Sequence, residues 1–501
     1  MLFNAPVFLF LFLPATLLIF FALSSRGQRQ YSIVSLVAAS LFFYGWWNPS
    51  YVLLILASAF GNYCFGLVLS QRRPTGTRRF FFIAGITCNL LLLGYFKYVN
   101  FFLNNVNALA GTSFHPQAIL LPLGVSFFTF QQLAYIVDVY RGESGERNFL
   151  RYCLFVTFFP KLIAGPIVYQ REFLPQFSMP AIYRFNSDNL AEGLTIFLLG
   201  LFKKVVIADM LAQFADPVFT AVNSGVMPSP SFFVAWQGAL AFTLQIYFDF
   251  SAYSDMAIGV SRMFGITLPV NFNSPYKAAN IREFWSRWHI TLSRFLRDYI
   301  YIPLGGNRKG TIRQYMNLMI TMLICGLWHG AGWTFVAWGA LHAVYLVVNH
   351  GWNKIKVVLA IRPQGVNRPG LWCGRLLTFS AVITGWVLFR AESFSSAVAL
   401  LKGMTGLNGA VLPSQILNLI PPLKALVKPA GTVPFLAGGT VMGVIQFLLI
   451  TLTCLIIVFF SKNLYELNLR QRIYLLVPSF AFVFQAILFG RMPSDFIYFK
   501  F

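Results

Sequence analysis

The sequence predicts an all-α polytopic membrane protein: about ten full spans, re-entrant segments among them, and one amphipathic helix on the cytoplasmic side. Three observations carry this. The 501 residues are 57% hydrophobic and only 11% charged, whereas a soluble chain averages about 25% charged. Apolar runs near the ~20 residues that cross a bilayer core recur along the whole length. Lys and Arg gather in alternate connections between those runs, as the positive-inside rule expects. The formal charge of +23 therefore reflects topology, and a nucleic-acid partner is excluded because the basic residues are dispersed between apolar runs.

Taken in order, spans are expected at about 6–24, 31–47, 51–70, 80–96, 119–140, 190–212, 232–260, 372–390, 435–460 and 473–490. Arg26 and Arg29 follow the first span, so it is read as a span entering from outside and not as a cleaved leader. Arg72, Arg73, Arg78 and Arg79 follow the third, and Arg141, Arg147 and Arg151 follow the fifth. The intervening loops, such as Trp47-Asn48-Pro49-Ser50 and 213–231, carry no Lys or Arg. Odd-numbered spans then run inward and both termini lie outside. The chain reads as one transmembrane domain, with N-terminal spans over 1–140, a core over 141–350 and C-terminal spans over 351–501.

Some stretches break the pattern. Leu150 to Tyr169 contains Pro160, Lys161, Gly165 and Pro166, which argue against a straight helix and for a cytoplasmic re-entrant segment. The segment 392–433 reads as external, with a short surface helix at its start and an irregular Pro-rich remainder. Six cysteines lie in or beside apolar runs without CxxC or metal spacing and read as small buried residues.

The chemistry concentrates between Asn271 and Ala343. Ile281, Phe284, Trp285, Trp288, Leu292, Phe295, Leu296 and Tyr299 recur at spacings of three and four, predicting one amphipathic helix over Ile281–Ile300. His289 falls on its buried stripe. Pro303–Arg313 is a Gly-rich basic loop. Beyond it, Gln314–His350 is apolar except for His329, His342 and scattered amides. His329 sits in Leu327-Trp328-His329-Gly330-Ala331-Gly332-Trp333, where two helices meet. The run Tyr315–Trp328 before it is short for a span, so a broken or re-entrant hairpin with His329 at its tip is expected.

A titratable group within an apolar run is expensive and marks a functional site. His329 and His289 are the candidate catalytic residues. The competing reading is a hydrogen-bonded core histidine, and for His342 packing is the favoured reading. Asp249 and Asp255, in an unusually polar stretch of a span, are candidates to orient an imidazole or to pair with Lys or Arg between helices. Trp285 and Trp328 are supporting candidates beside the histidines. Two buried histidines behind a basic rim suit acyl transfer from an activated anionic thioester. Lys277, Arg282, Arg308 and Lys309 would hold its phosphates, and a neutral imidazole would take the acceptor's proton. No Gly-x-Ser-x-Gly elbow and no P-loop is present. Two other classes compete: a transporter of acyl groups built from broken helices, and a non-catalytic scaffold of a secretion complex using 392–433 as its docking surface.

Four motifs carry a resemblance: Asn271-Phe-Asn-Ser-Pro-Tyr276, Phe284-Trp-Ser-Arg-Trp-His-Ile-Thr-Leu-Ser293, Arg297-Asp-Tyr-Ile-Tyr-Ile-Pro-Leu-Gly-Gly-Asn-Arg308 and Gly326-Leu-Trp-His-Gly-Ala331. Together with Tyr247-Phe-Asp-Phe-Ser-Ala-Tyr253 and the ending Phe496–Phe501, they resemble the membrane-bound O-acyltransferase (MBOAT) superfamily. Within it they are similar to the bacterial alginate O-acetyltransferase branch, which is related to the membrane protein that D-alanylates teichoic acid. The resemblance implies a multi-pass enzyme of the bacterial inner membrane with a central funnel. The family's invariant histidine matches His329 and its second histidine matches His289, where many lipid- and protein-acylating branches carry Asn or Asp. It also implies acetyl-CoA as donor substrate, with no permanently bound cofactor and no metal. The implied partners are a periplasmic acetyltransferase or exopolysaccharide secretion machinery, a polysaccharide acceptor such as alginate, and membrane lipid. His329 would be a general base or a transient acetyl carrier.

Overall fold

The computed structural model describes all residues except 73, 360–367, 432, 434, 477–478, 480–495 and 498–501. The described chain is helical almost throughout. It forms two compact units, each built from non-contiguous stretches: Met1–Phe202 with Ala252–Asn271 and Asn468–Phe501, and Lys203–Ser251 with Phe272–Leu467.

The first unit opens with a π-helical turn, Phe8–Phe12, that runs into α1 (Leu13–Ser25), followed by α2 (Arg29–Gly45), α3 (Ser50–Ser70) and α4 (Thr75–Leu93). Helix α4 continues through a π-turn into α5 (Val99–Ala110). Then come α6 (Val125–Tyr140), α7 (Phe149–Thr157), the four-residue α8 (Phe159–Leu162) and α9 (Gln170–Phe173), and α10 (Ser187–Phe202). The break between α7 and α8 falls at Phe158, and Pro160 sits in the first turn of α8, where its missing N–H breaks no hydrogen bond. The broken segment expected at Leu150–Tyr169 is therefore present, and it is buried along nearly all its length.

Polar residues of this unit hold helices together, because an apolar surround rewards amides that satisfy one another. Asn62 of α3 and Asn89 of α4 exchange hydrogen bonds of 3.2 and 2.6 Å. The Gln132 amide donates to Ser58 Oγ at 3.0 Å. Lys161 is fully buried. Its ammonium donates to Gln131 Oε1 at 2.6 Å and to the Phe155 carbonyl, between the Phe155 and Phe173 rings.

In the second unit, a π-turn (Lys203–Ala208) leads into α11 (Asp209–Asn223). The 32-residue α12 (Phe232–Met263) belongs to this unit as far as Ser251 and to the first from Ala252. Next come α13 (Ile281–Arg287), α14 (Ile290–Leu296), α15 (Thr311–His329), α16 (Trp333–Val358), α17 (Arg368–Arg390), α18 (Phe394–Met404), α19 (Ser414–Leu419) and α20 (Val441–Phe460).

Five helical stretches among the described residues are long and apolar enough to cross a membrane: Phe8–Ser25, Ser50–Ser70, Thr75–Ala110, Arg368–Arg390 and Val441–Phe460. This is a membrane protein. Helices also stand at the expected positions of α2, α6, α10–α11 and α12, but these are shorter or more polar; α6 and α12 are buried along most of their length, whereas α2 exposes Tyr31, Val34 and Phe42. A helix buried on all sides needs no lipid-facing stripe. Most of the expected span at about 473–490 lies outside the described residues.

Two sequence expectations need correction here. The Pro-rich part of 392–433 is not simply irregular. Beyond α18, strand β1 (Val411–Pro413) pairs in parallel with β2 (Lys428–Ala430) around α19. The buried reading holds for Cys153, Cys325 and Cys454, but Cys88 and Cys373 are exposed on outward faces of their helices.

Candidate active site

The site lies in the second unit and is built by a broken helix facing a helical hairpin. Asn280 starts α13, its Oδ1 accepting from Glu283 N at 3.0 Å while Glu283 Oε2 accepts from Ala279 N at 2.9 Å. Such reciprocal caps satisfy donors that a helix start leaves free. Arg287 returns to Glu283 one turn earlier at 2.9 Å. The helix then stops. The single helix expected over Ile281–Ile300 is two seven-residue helices followed by a π-turn at Arg297–Tyr301, broken at Trp288–His289.

The break has a physical reason. Successive residues of a helix point about 100° apart, and the break instead turns Trp288 and His289 into two different aromatic surroundings. Here both are completely buried. Trp288 packs on Trp386 (ring centroids 4.8 Å apart) and Phe272 (5.1 Å). His289 lies edge-to-face on Phe250 at 4.8 Å. The cost is carried by the backbone: His289 has φ +43°, the left-handed region, a strain of about 1–3 kcal/mol of the kind that collects at functional sites.

His329 is the last residue of α15, and a three-residue turn, Gly330–Gly332, leads into α16. The predicted hairpin with His329 at its tip is therefore present. Its first arm is longer than expected, a full 19-residue helix from Thr311 to His329. The arms cross where Gly326 faces Gly339. A Cβ on Gly326 would run into the Phe335 carbonyl and one on Gly339 into the Met322 carbonyl, so two glycines are needed for this approach. A Cβ on Gly330 would collide with the Phe335 ring.

The two candidate histidines are brought together by one side chain. Trp328 stands between them, its ring centroid 6.0 Å from that of His289 and 4.9 Å from that of His329. His329 is only 3% exposed. It is walled by Trp338 at 5.1 Å and Phe389 at 5.2 Å, both edge-to-face. Trp285 lies one ring further, 5.8 Å from Trp338 and 5.3 Å from His342.

The other expected site residues are distributed differently. Asp249 is 2.8 Å from the ammonium of Lys204, which also meets Asp209 at 3.0 Å. This is the interhelical pairing reading of that carboxylate, with Lys204 inside the expected 190–212 span. Asp255 is buried in the first unit. Arg282, Arg308 and Lys309 are exposed, the last two in the basic loop before α15. The Lys277 ammonium donates to the Ser461 carbonyl, and Arg375 Nε donates to the Lys277 carbonyl at 3.1 Å. Burial lowers the pKa of Lys277, with Arg375 and Arg287 adding to the effect against Glu466. Three cations thus share one neighbourhood, of which only Lys277 was singled out from the sequence. The wall residues Trp338, Trp386, Phe389 and Phe250 were also missed. They lie on apolar runs where an aromatic residue carries no signal of its own.

Comparison with known proteins now decides the class. The family model for the MBOAT, membrane-bound O-acyltransferase family, matches residues 41–356. The chain belongs to the membrane-bound O-acyltransferases. It is 41% identical to a peptidoglycan O-acetyltransferase of Helicobacter pylori, over 100% of this chain and 98% of that one. It is 43% identical to a probable alginate O-acetylase of Pseudomonas putida, over 81% of this chain and 80% of that protein. A teichoic acid D-alanyltransferase of Bacillus subtilis is 26% identical over 56% of this chain and 71% of its own length. The protein is an acyltransferase.

Burial of His289 in this acyltransferase has a pH consequence. Loss of hydration pushes the imidazole from 6.5 down to about 3. Between those values the unfolded chain binds a proton that the folded chain refuses. Stability from this group is therefore complete above pH 6.5 and is lost as pH falls toward 3, at up to about 1.4 kcal/mol per pH unit. In thermal melts of the detergent-solubilised protein from pH 7.5 to 5, His289→Gln is expected to flatten the acid slope relative to wild type. An unchanged slope would place the acid sensitivity elsewhere.

Proposed function

We propose that the protein is an O-acetyltransferase of the bacterial inner membrane. It takes acetyl from cytoplasmic acetyl-CoA for O-acetylation of an extracytoplasmic polysaccharide. The observation that carries the reading is the pair of enclosed histidines joined through Trp328, both within the stretch that the family model matches. The cations around Lys277 and the exposed Arg282, Arg308 and Lys309 supply charge for the donor's phosphates.

In the proposed reaction His329 accepts the proton of the acceptor hydroxyl as its oxygen attacks the thioester carbonyl. The C–S bond breaks, the thiolate leaves and takes up that proton as CoA thiol, and the ester remains on the acceptor. His329 ends α15, and the partial negative charge of a helix carbonyl end stabilises an imidazolium formed in the transition state. His289, held neutral by burial, acts by orienting a polar group and not as a cationic acid. The alternative, a transient acetyl-imidazole on His329, predicts an acetyl label on the protein that is trapped by rapid quenching and lost in acid or hydroxylamine, which the base mechanism does not.

Alginate or a similar exopolysaccharide is one acceptor reading, with a periplasmic acetyltransferase completing delivery and both termini periplasmic. The full-length match to a peptidoglycan O-acetyltransferase supports a second acceptor, the peptidoglycan glycan strand. The deciding experiment compares acetyl content of exopolysaccharide and of muropeptides in cells with and without the protein. Loss from one polymer alone names the acceptor. No loss from either, with the protein present in the wild-type membrane, sinks the polysaccharide reading.

A further inference from the structure

The last turn of α17 supplies two walls of the candidate site. Trp386 packs on Trp288 at 4.8 Å and on Trp338 at 5.8 Å. Phe389 lies edge-to-face on His329 at 5.2 Å and on Phe335 at 5.0 Å. A helix end is a difficult place from which to hold a ring, because the last carbonyls lose their intrahelical partners and the turn frays.

Arg390, the final residue of α17, is tied to two other helices. Its guanidinium is 3.3 Å from the carboxylate of Asp216 in α11. It also lies over the rings of Phe219 in α11, at 5.5 Å, and Phe242 in α12, at 6.0 Å. A planar guanidinium pairs with a carboxylate while its face covers aromatic rings, which a lysine does not reproduce. The Arg390 side chain is only 17% exposed, so this is no solvated surface charge. Two residues on, Glu392 N donates to Asn223 Oδ1 at the end of α11, at 3.3 Å.

The direction of Phe389 follows from these ties. Neighbouring side chains of a helix point about 100° apart, so Arg390 facing α11 and α12 leaves Phe389 facing His329. Gly385 holds the preceding turn from another side, since a Cβ there would already meet His342 Nε2 of α16 at 2.7 Å. Close packing thus fixes α17 at Gly385, and the Arg390 clamp fixes it five residues later, about 140° around the axis. A partly exposed ion pair adds little to global stability, so the effect of this clamp is local.

We infer that Arg390 is a positioning residue for His329: by clamping the last turn of α17 to α11 and α12, it holds the Phe389 ring as one wall of the imidazole. This rests on the reading of His329 as the reacting group. The donor's phosphates are served elsewhere on the same helix. Arg375, beside Lys277, lies fifteen residues earlier, about 22 Å along the axis. Loss of the clamp therefore acts on turnover and leaves donor affinity unchanged.

The test uses the full chain purified in detergent. The rate at which diethyl pyrocarbonate labels His329 is mapped on its peptide by mass spectrometry, and kcat and KM for acetyl-CoA are measured by CoA release. In Arg390→Gln the labelling of His329 is expected to rise at least fivefold, while that of the exposed His115 stays the same. The kcat is expected to fall at least tenfold with KM within twofold. Arg390→Lys, which keeps the charge beside Asp216 without the planar face, is expected to recover part of both. Arg390→Gln combined with Phe389→Leu is expected to lie within twofold of Phe389→Leu alone, because a residue that acts through Phe389 then has nothing further to remove. Unchanged His329 labelling in Arg390→Gln, or a kcat loss that adds in full to that of Phe389→Leu, overturns the assignment and leaves Arg390 a structural ion pair. Should Arg390→Gln fail to accumulate, Asp216→Asn, which keeps the guanidinium and its rings, is read by the same criteria with at least a twofold rise in labelling. Labelling needs no acetyl-CoA. Faster labelling in Arg390→Gln, with no CoA release even by wild type, would keep the clamp and remove the acetyl-transfer reading, so the two failures are told apart.

Discussion

Replacing His329 by alanine is expected to lower acetyl transfer by about 10²- to 10⁴-fold, the range that one positioned general base contributes, while the protein accumulates in the membrane at its normal level. The expectation rests on its enclosure by Trp328, Trp338 and Phe389 at the tip of the hairpin. Three packed rings retain most of the local burial when the imidazole is lost, so chemistry fails before folding does. His289→Ala is expected to cost less, up to about a hundredfold, as a loss of orientation does. The measurements are acetyl content of the cell-envelope polymers and acetyl-CoA-dependent CoA release by the purified protein, with membrane levels quantified. Normal insertion with undiminished acetylation in His329→Ala would make this histidine a packing residue and remove the centre of the mechanism.

The second large effect is on stability. Lys204 is 1% exposed and Asp249 2%, and their charged atoms are 2.8 Å apart. Lys204→Met would leave the Asp249 carboxylate buried without its cation, which typically costs about 3–5 kcal/mol. Lys204→Met combined with Asp249→Leu removes both charges, and Asp209, the partly exposed third member, can then turn to water. The double variant is therefore expected to recover much of the loss, as judged by melting temperature and by the amount of protein in the membrane. An unperturbed Lys204→Met would show that the triad carries no stability. Asp249→Asn with normal stability but abolished transfer would instead return Asp249 to the reaction, the other role its sequence position suggested.

Some of this was legible early because it depends on local composition. Apolar runs of bilayer length announce helices whatever they pack against, since a chain in lipid must satisfy its backbone internally. Gly326, Gly330 and Gly332 around His329 announced a hairpin because few other residues permit so close a crossing and so short a turn. The helix over Ile281–Ile300 misled for an equally local reason. Its spacing of three and four persists across two short helices that bury the same side, so periodicity alone carries no trace of the break at Trp288–His289. The contacts made on its two sides, Trp288 against Trp386 and His289 against Phe250, are set by distant segments.

The sequence by itself determined that this is a helical membrane protein, which residues carry titratable groups in apolar surroundings, and which family the motifs belong to. Each of these follows from side-chain chemistry and order along the chain. Tertiary structure alone decided that Trp328 joins His289 to His329 and that Asp249 is tied to Lys204. These pairs lie 39 or more residues apart, except where they share a helix. Which aromatic ring or cation fills the space beside a given group is fixed by how distant helices cross, and periodicity within one helix contains no information about its neighbour.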